Sequence, residues 1–365
     1  MKLSMIGGLI TTVLVFLFPE VMIGIFSPDP RVIAEGVGYV RVVAFSYMFF
    51  CLSQILVSSM RSVESVKIGV AVSLSSLVLN IVFNYIFIFG IPQIGLARMD
   101  ARGAALATVI ARVAECAIIV AYMFVSDKKL TMRLKDFFAR DKQLFWDFVR
   151  YGLPVLGGNV VWAVNVLTQS GIIGRMGAEA VASVSITGML NNLVFVWIMG
   201  LGAGVGIMTG KTVVAGKYEL MKLYSKTIQI IFVVLGFVCG GVIFILKDYF
   251  LMLYTIEEAT RVVAIQFMTV LSISSIGRAY QATCLAGLVK AGGDTGFVFK
   301  NDTIFVFLVV LPSALIAMYG FKAPPWVIYA CLQSDQILKC FVAVVKINRF
   351  KWMKNLTRDG GARIV

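Results

Sequence analysis

A segment of membrane length recurs in this chain at a fixed offset, and that recurrence limits the folds open to it. Asp29 and Arg61 bracket one apolar stretch and Glu258 and Lys290 another; each bracket spans 32 positions, and the two lie 229 apart. The turn after the next stretch repeats as well, Gly90 against Gly320, at an offset of 230. On this offset Met1 falls beside Ile230, so nothing in the first half matches residues from about Gly152 to about Gln229. Repeated helical units of this size are the architecture of transporters, with the substrate site at the repeat interface near the bilayer midplane.

Composition narrows the class. Of 365 residues 59% are hydrophobic and only 14% charged, where a soluble domain carries about 25% charge. Mean hydropathy is +0.91. The net charge of +14 does not indicate nucleic acid, because the basic residues sit in short loops between apolar runs, the membrane pattern. Histidine is absent, and the six cysteines lie in apolar runs without metal-ligand spacing. No metal site, cofactor or enzymatic activity is expected. Residues 1–26 start like a signal peptide, but no small-x-small cleavage site follows. The run is long enough to span a bilayer, which takes about 20 residues, and is read as a membrane helix.

The pattern predicts ten transmembrane helices: 3–26, 38–60, 68–89, 104–125, 153–173, 181–209, 228–246, 264–288, 297–318 and 325–346. The fold class is therefore an all-α polytopic membrane protein in two lobes of four and six helices. Residues 1–125 form the N-lobe, 126–150 a connector, 151–348 the C-lobe and 349–365 a basic tail. The connector places Leu134, Phe137, Phe138, Leu144, Phe145 and Phe148 at roughly helical spacing among seven basic residues. That is the pattern of an amphipathic helix on the inner membrane surface. Loops on the connector's side hold about 22 Lys and Arg against about seven opposite, which places both termini in the cytoplasm.

Ionisable residues inside spans are costly and mark function by default. Arg112 and Glu115 are three apart and Asp335 and Lys339 four apart, so each pair can neutralise itself along one helix face. Arg278 has no close partner on its own span, and Asp302 on the next span is its expected contact. Glu20 and Arg41 lie near an interface and can snorkel. Uncharged polar residues also cluster: Asn80 and Asn84 at i, i+4; Asn165 and Gln169; Asn191 and Asn192; Tyr280 and Gln281. They serve either as inter-helix hydrogen bonds or as the lining of a polar cavity. Gly210-Lys211-Thr212 looks like the end of a phosphate-binding loop, but Val205 stands where that pattern requires glycine. The glycines at 200, 202, 204, 206 and 210 instead suit close helix packing.

The run Asn80-Ile-Val-Phe-Asn84 through Gly90, then Gly103-Ala-Ala-Leu-Ala-Thr108-Val-Ile-Ala-Arg112, resembles the fifth and sixth helices of the MATE multidrug and toxin extrusion transporters. Tyr151-Gly-Leu-Pro154 resembles the entry to that family's seventh helix, and Ala286 to Thr295 the loop after its tenth; Trp352 and Asn355 fit its tail. The resemblance covers essentially the whole chain and implies twelve helices in two six-helix lobes. It also implies export of cationic or amphipathic small molecules across the plasma membrane in exchange for H+ or Na+.

On this resemblance the chain starts at the family's third helix. Asn80 and Thr108 match the family's coupling-ion residues, and Asn84 replaces an acid. Glu115, Asp302 and Asp335 are the carboxylates available to titrate. Asn165, Gln169, Asn191, Asn192, Arg278, Tyr280 and Gln281 are the substrate-cavity candidates. The loop Arg61-Ser-Val-Glu64 lacks the family's glycine. Alternative expectations are a flippase for lipid-linked oligosaccharides and a shortened product that does not transport. The partners expected are a small-molecule substrate and the bilayer, with no nucleic acid; the sequence specifies no oligomeric state.

Overall fold

The computed structural model describes residues 2–24, 30–90, 98–125 and 142–354, which are helical with no strand among them. Two compact units divide the chain, Met1–Arg140 and Asp141–Val365. The first holds α1 (Lys2–Leu17), α2 (Pro19–Gly24), α3 (Pro30–Ala44), α4 (Ser46–Ser62), α5 (Val66–Phe89) and α6 (Asp100–Val125). The second holds α7 (Lys142–Gly174), α8 (Ala178–Val214), α9 (Tyr218–Leu251), α10 (Glu258–Lys290), α11 (Thr295–Gly320) and α12 (Pro325–Asn348).

Among the described residues seven helices, α5, α6 and α8 to α12, are each long and apolar enough to cross a bilayer. The pair α3–α4, bent by 46°, makes an eighth. The other two expected spans take different forms. The stretch 3–26 is interrupted at Phe18, because Pro19 has no N–H to continue the ladder and instead opens α2. α7 has 33 residues, ample length, but its polar side chains lower its hydropathy. The expected surface helix falls largely on residues 126–141, outside those described. Its remainder, 142–150, is not a separate element but the first turns of α7. The basic tail beyond Lys354 also lies outside the described residues.

The internal repeat survives in backbone detail. Val66 advanced by 229 positions is Thr295, so α5 and α11 start in register. Just before them, Glu64 N–H donates to the Arg61 carbonyl and Ser65 N–H to Met60, while Gly293 N–H donates to Lys290 and Asp294 N–H to Val289. All four residues of the first turn map onto the second at the same offset. Both turns need a left-handed residue: Gly293 has φ 101° and Glu64 φ 59°. The far turns differ. Gly90 takes φ 73°, whereas beyond α11 the left-handed position is Lys322 at φ 46° rather than Gly320.

Side-chain placement fits lipid on the outside. Tyr85 and Phe89 on α5, Val196 and Trp197 on α8, and Ile230 and Ile245 on α9 are all more than half exposed. Apolar surface on that scale marks a membrane-facing wall. With no hydrophobic drive between helices in lipid, close packing has to come from small residues. In the second unit these draw three helices onto α10. A methyl group at Gly240 of α9 would lie 2.4 Å from the Ser272 carbonyl oxygen, and one at Gly277 would lie 2.3 Å from that of Gln336 on α12. One at Gly287 would lie 3.1 Å from the carbonyl oxygen of Gly202 on α8. Of the glycine stripe on α8, Gly202 and Gly206 are the two that face α10.

After α12 the chain folds back. Trp352 is fully buried among Met221, Leu288 and Val289, with its indole N–H donated to the Ile347 carbonyl at 3.0 Å. A methyl on Gly292 would lie 2.3 Å from the Trp352 ring, so only glycine admits the indole there. Lys346 and Lys354 both pair with Asp294, at 2.7 and 2.9 Å. Burial alone would raise the Asp294 carboxyl, but the two ammonium groups outweigh it and hold the carboxyl below the usual carboxylate range.

Candidate functional site

The first unit gathers uncharged oxygens and a closed ion pair. Asn84 Nδ2 donates to Asn80 Oδ1 at 2.9 Å, and Asn80 Nδ2 reaches Thr108 Oγ1 at 3.5 Å. Asn84 Oδ1 is buried and has no donor among the described residues. A buried carbonyl oxygen without a donor is an acceptor in need of a partner. One helical level away, Glu115 is buried and accepts from Arg112 at 2.5 Å and from Ser76 at 3.2 Å. Arg112 also lies over the Phe50 ring at 4.7 Å. The self-neutralising pair read from the sequence is thus present, and it consumes the carboxylate.

The second unit contains a cavity of about 580 Å³ walled by α7, α8, α10, α11 and α12. That is within the range drug-sized molecules occupy, roughly 300–1,000 Å³. On α7, Gly158, Trp162, Asn165 and Gln169 recur at three- and four-residue spacing, so one face of the helix fronts the cavity. Asn191, Asn192 and Phe195 front it from α8, Arg278 and Gln281 from α10, Asp302 from α11, and Asp335, Gln336 and Lys339 from α12.

A continuous polar chain crosses this wall. Arg278 donates through Nη1 to Asn191 Oδ1 at 2.8 Å and through Nε to Gln336 Oε1 at 3.4 Å, with the Phe195 ring 4.9 Å away. Gln336 Oε1 also accepts from Gln281 at 3.0 Å, and Gln336 Nε2 donates to Asp335 Oδ1 at 2.9 Å. Lys339 then bridges Asp335 at 3.1 Å and Asp302 at 3.0 Å. The expected Arg278–Asp302 contact is therefore replaced. Lys339 lies between the two carboxylates, and Arg278 is held by neutral groups. On α7, Gln169 donates to Asn165 Oδ1 at 3.2 Å.

Of the seven cavity candidates, six line this space; Tyr280 does not. Its hydroxyl donates to Gln229 on α9 at 2.7 Å, and its ring is buried in the packing core. Two residues along a helix turn a side chain through roughly 200°, so Tyr280 faces away from Arg278 while Gln281 returns to it. Asp302 and Asp335, expected as coupling groups, line the same cavity. Composition and spacing do not single out Gln336, although its place beside Asp335, three before Lys339, puts it on the polar stripe of α12.

The sequence pattern of the MatE family matches residues 1–86 and 154–316, more than half of the chain. The chain belongs to the MatE family. Among curated relatives it is 26% identical over 298 residues to "Probable multidrug resistance protein NorM" of Photorhabdus laumondii, covering 79% of this chain and 63% of that protein. It is 25% identical over 350 residues to "Multidrug export protein MepA" of Staphylococcus saprophyticus, covering 94% of this chain and 74% of the other. A crystal structure of MATE in the bent conformation superposes with a TM-score of 0.81 at 16% identity, over 96% of this chain and 77% of that one. The MatE fold is thus shared, and this chain is a multi-pass membrane protein.

Proposed function

We propose that this MatE chain is a secondary active transporter of the plasma membrane that exports small amphipathic solutes against an inward flow of H+ or Na+. The observation that carries the reading is the polar cavity of the second unit: a space of ligand size, charged and hydrogen-bonded on its walls, within helices whose outer faces are apolar. A membrane protein retains buried ionisable groups at such cost chiefly along substrate or ion pathways. The multidrug names of the NorM and MepA relatives agree with it. On this reading both termini face the cytoplasm, in keeping with the distribution of Lys and Arg.

The two units take different parts. Asn80, Asn84 and Thr108 offer oxygens to the driving cation, and the donorless Asn84 Oδ1 supports this assignment. Asn165, Gln169, Asn191, Asn192, Arg278 and Gln281 receive the solute. Asp302 and Asp335, both held on Lys339, form part of the solute chamber. Exchange follows from alternating access, each ligand favouring the opposite state. The test is flux of a fluorescent amphipathic dye in proteoliposomes under an imposed H+ or Na+ gradient. Movement that stops when an ionophore collapses the gradient is expected; movement indifferent to both gradients overturns the reading.

A further inference from the structure

The charge on the walls of the second unit's cavity says what sort of solute fits there. Arg278, Lys290 and Lys339 face Asp302 and Asp335, so three cations stand against two anions, an excess of one positive charge. How the charges are paired matters more. Both carboxylates contact Lys339, which cancels one of their two charges; Asp335 also acts on Arg278 from beyond ion-pair distance, so Lys290 carries the excess. A guanidinium has five N–H donors and does not lose its proton in a protein. Two of those donors go to the carbonyl oxygens of Asn191 and Gln336; the other three have no acceptor among the described residues.

This guanidinium is fixed rather than free. The two amide oxygens hold two of its nitrogens, and Phe195 lies 4.9 Å from its centre. Those contacts set the plane of the fork and leave it open to a further acceptor; Asp335 offsets its charge only at longer range. A charge with no counter-ion in contact inside a membrane protein costs free energy, and an anion that makes the contact recovers part of it. Phosphate, sulfonate and carboxylate groups each offer paired oxygens that match the fork.

Lys290 extends the feature toward the end of α10. It lies 12 residues after Arg278, roughly 18 Å along by helical rise. In a straight α-helix it would be rotated about 120° from Arg278. The helix takes wider π turns over Thr283–Lys290, and both cations line one cavity. Trp162, Phe195 and Met199 supply an apolar wall beside them.

We propose that the cavity of the second unit is a site for an amphipathic organic anion, with the acidic group on the Arg278 fork, the apolar body against Trp162 and Met199, and Lys290 drawing the anion inward. This reverses the charge of solute that the family resemblance suggests. Movement of the anion across the membrane rests on the transport reading; its binding does not.

The test is equilibrium binding of 1-naphthyl phosphate and of the similarly sized cation 1-naphthylmethylammonium to the full chain in nanodiscs of zwitterionic lipid. The phosphate is expected to bind about tenfold or more tightly than the ammonium, since a charge-assisted fork is worth at least that factor. Arg278→Gln is expected to remove that preference, Arg278→Lys to keep part of it, and Lys290→Gln to slow association more than it weakens binding. Equal binding of the two probes, or tighter binding of the ammonium, by the unaltered chain overturns the proposal whatever the variants do. Competition by phosphatidic acid added to the disc assigns the site to a lipid headgroup; its absence assigns it to a soluble anion, and either result sustains the anion site. If dye flux follows an ion gradient while naphthyl phosphate does not bind, the transport reading stands and this inference falls. If naphthyl phosphate binds through Arg278 and no gradient moves any solute, the inference stands and the transport reading falls.

Discussion

The two units of this chain share a repeat, yet they handle buried charge in opposite ways. In the first, Arg112 and Glu115 close on each other along one helix, and what remains is a row of neutral oxygens at Asn80, Asn84 and Thr108. In the second, one lysine is shared by two carboxylates, and an arginine beside them hydrogen-bonds to neutral groups. At Asn84 the first unit lacks a donor; at Arg278 the second lacks a counter-ion in contact. Repetition of a backbone therefore does not repeat a site, because a site depends on which few side chains are paired.

The largest expected effect comes from breaking the second unit's shared pair. Lys339→Met strands Asp335 and Asp302, and loss of one partner of a buried pair costs about 3–5 kcal/mol. A fall in the thermal midpoint in detergent reads it. Adding Asp335→Asn should recover part of the loss, and an unchanged midpoint for the single variant would mean that the triad is not intact. Arg112→Leu is the matching experiment in the first unit. It leaves Glu115 with Ser76 alone, at a cost of about 2 kcal/mol, smaller because Arg112 is itself partly exposed. If it costs more than Lys339→Met, the contrast between the units is reversed.

The turn shared by both units gives two smaller effects. Asp294 carries two lysines where Ser65 stands in the first unit. Its folded-state carboxyl is depressed, so its contribution is complete above the unfolded value, roughly pH 4, and is lost as pH falls through the folded one. Asp294→Asn should cost about 1 kcal/mol near neutral pH and should remove this part of the acid sensitivity; unfolding measured between neutral and acid pH checks both. Smallest is Glu64→Gly, which gives the first turn the glycine that the second has at Gly293. Relief of a left-handed non-glycine residue should stabilise the chain by about 1 kcal/mol. A loss of stability would show that the Glu64 side chain contributes more than its backbone costs.

Much of this was legible in the sequence, and the limits have physical causes. Pairs within one helix, Arg112–Glu115 and Asp335–Lys339, follow from spacing alone. The Arg278–Asp302 expectation failed because contacts between helices depend on how each is rotated, and spacing within a helix says nothing of that. Adjacency in sequence groups Tyr280 with Gln281, whereas helical rotation sends neighbouring residues to different walls. The broken first span was foreshadowed by Pro19, but a run of apolar residues conceals a break that costs no hydrophobicity. Helix existence survived throughout the described residues; pairing across helices did not.

The proposed division of labour puts the driving cation in the first unit and the solute in the second. Its most direct test is parallel measurement of naphthyl phosphate affinity and of gradient-driven flux for the unaltered chain, Asn80→Ala and Arg278→Gln. Asn80→Ala should abolish the dependence of flux on the gradient with affinity preserved, and Arg278→Gln should lower affinity about tenfold or more. Equal loss of affinity in both variants would contradict it.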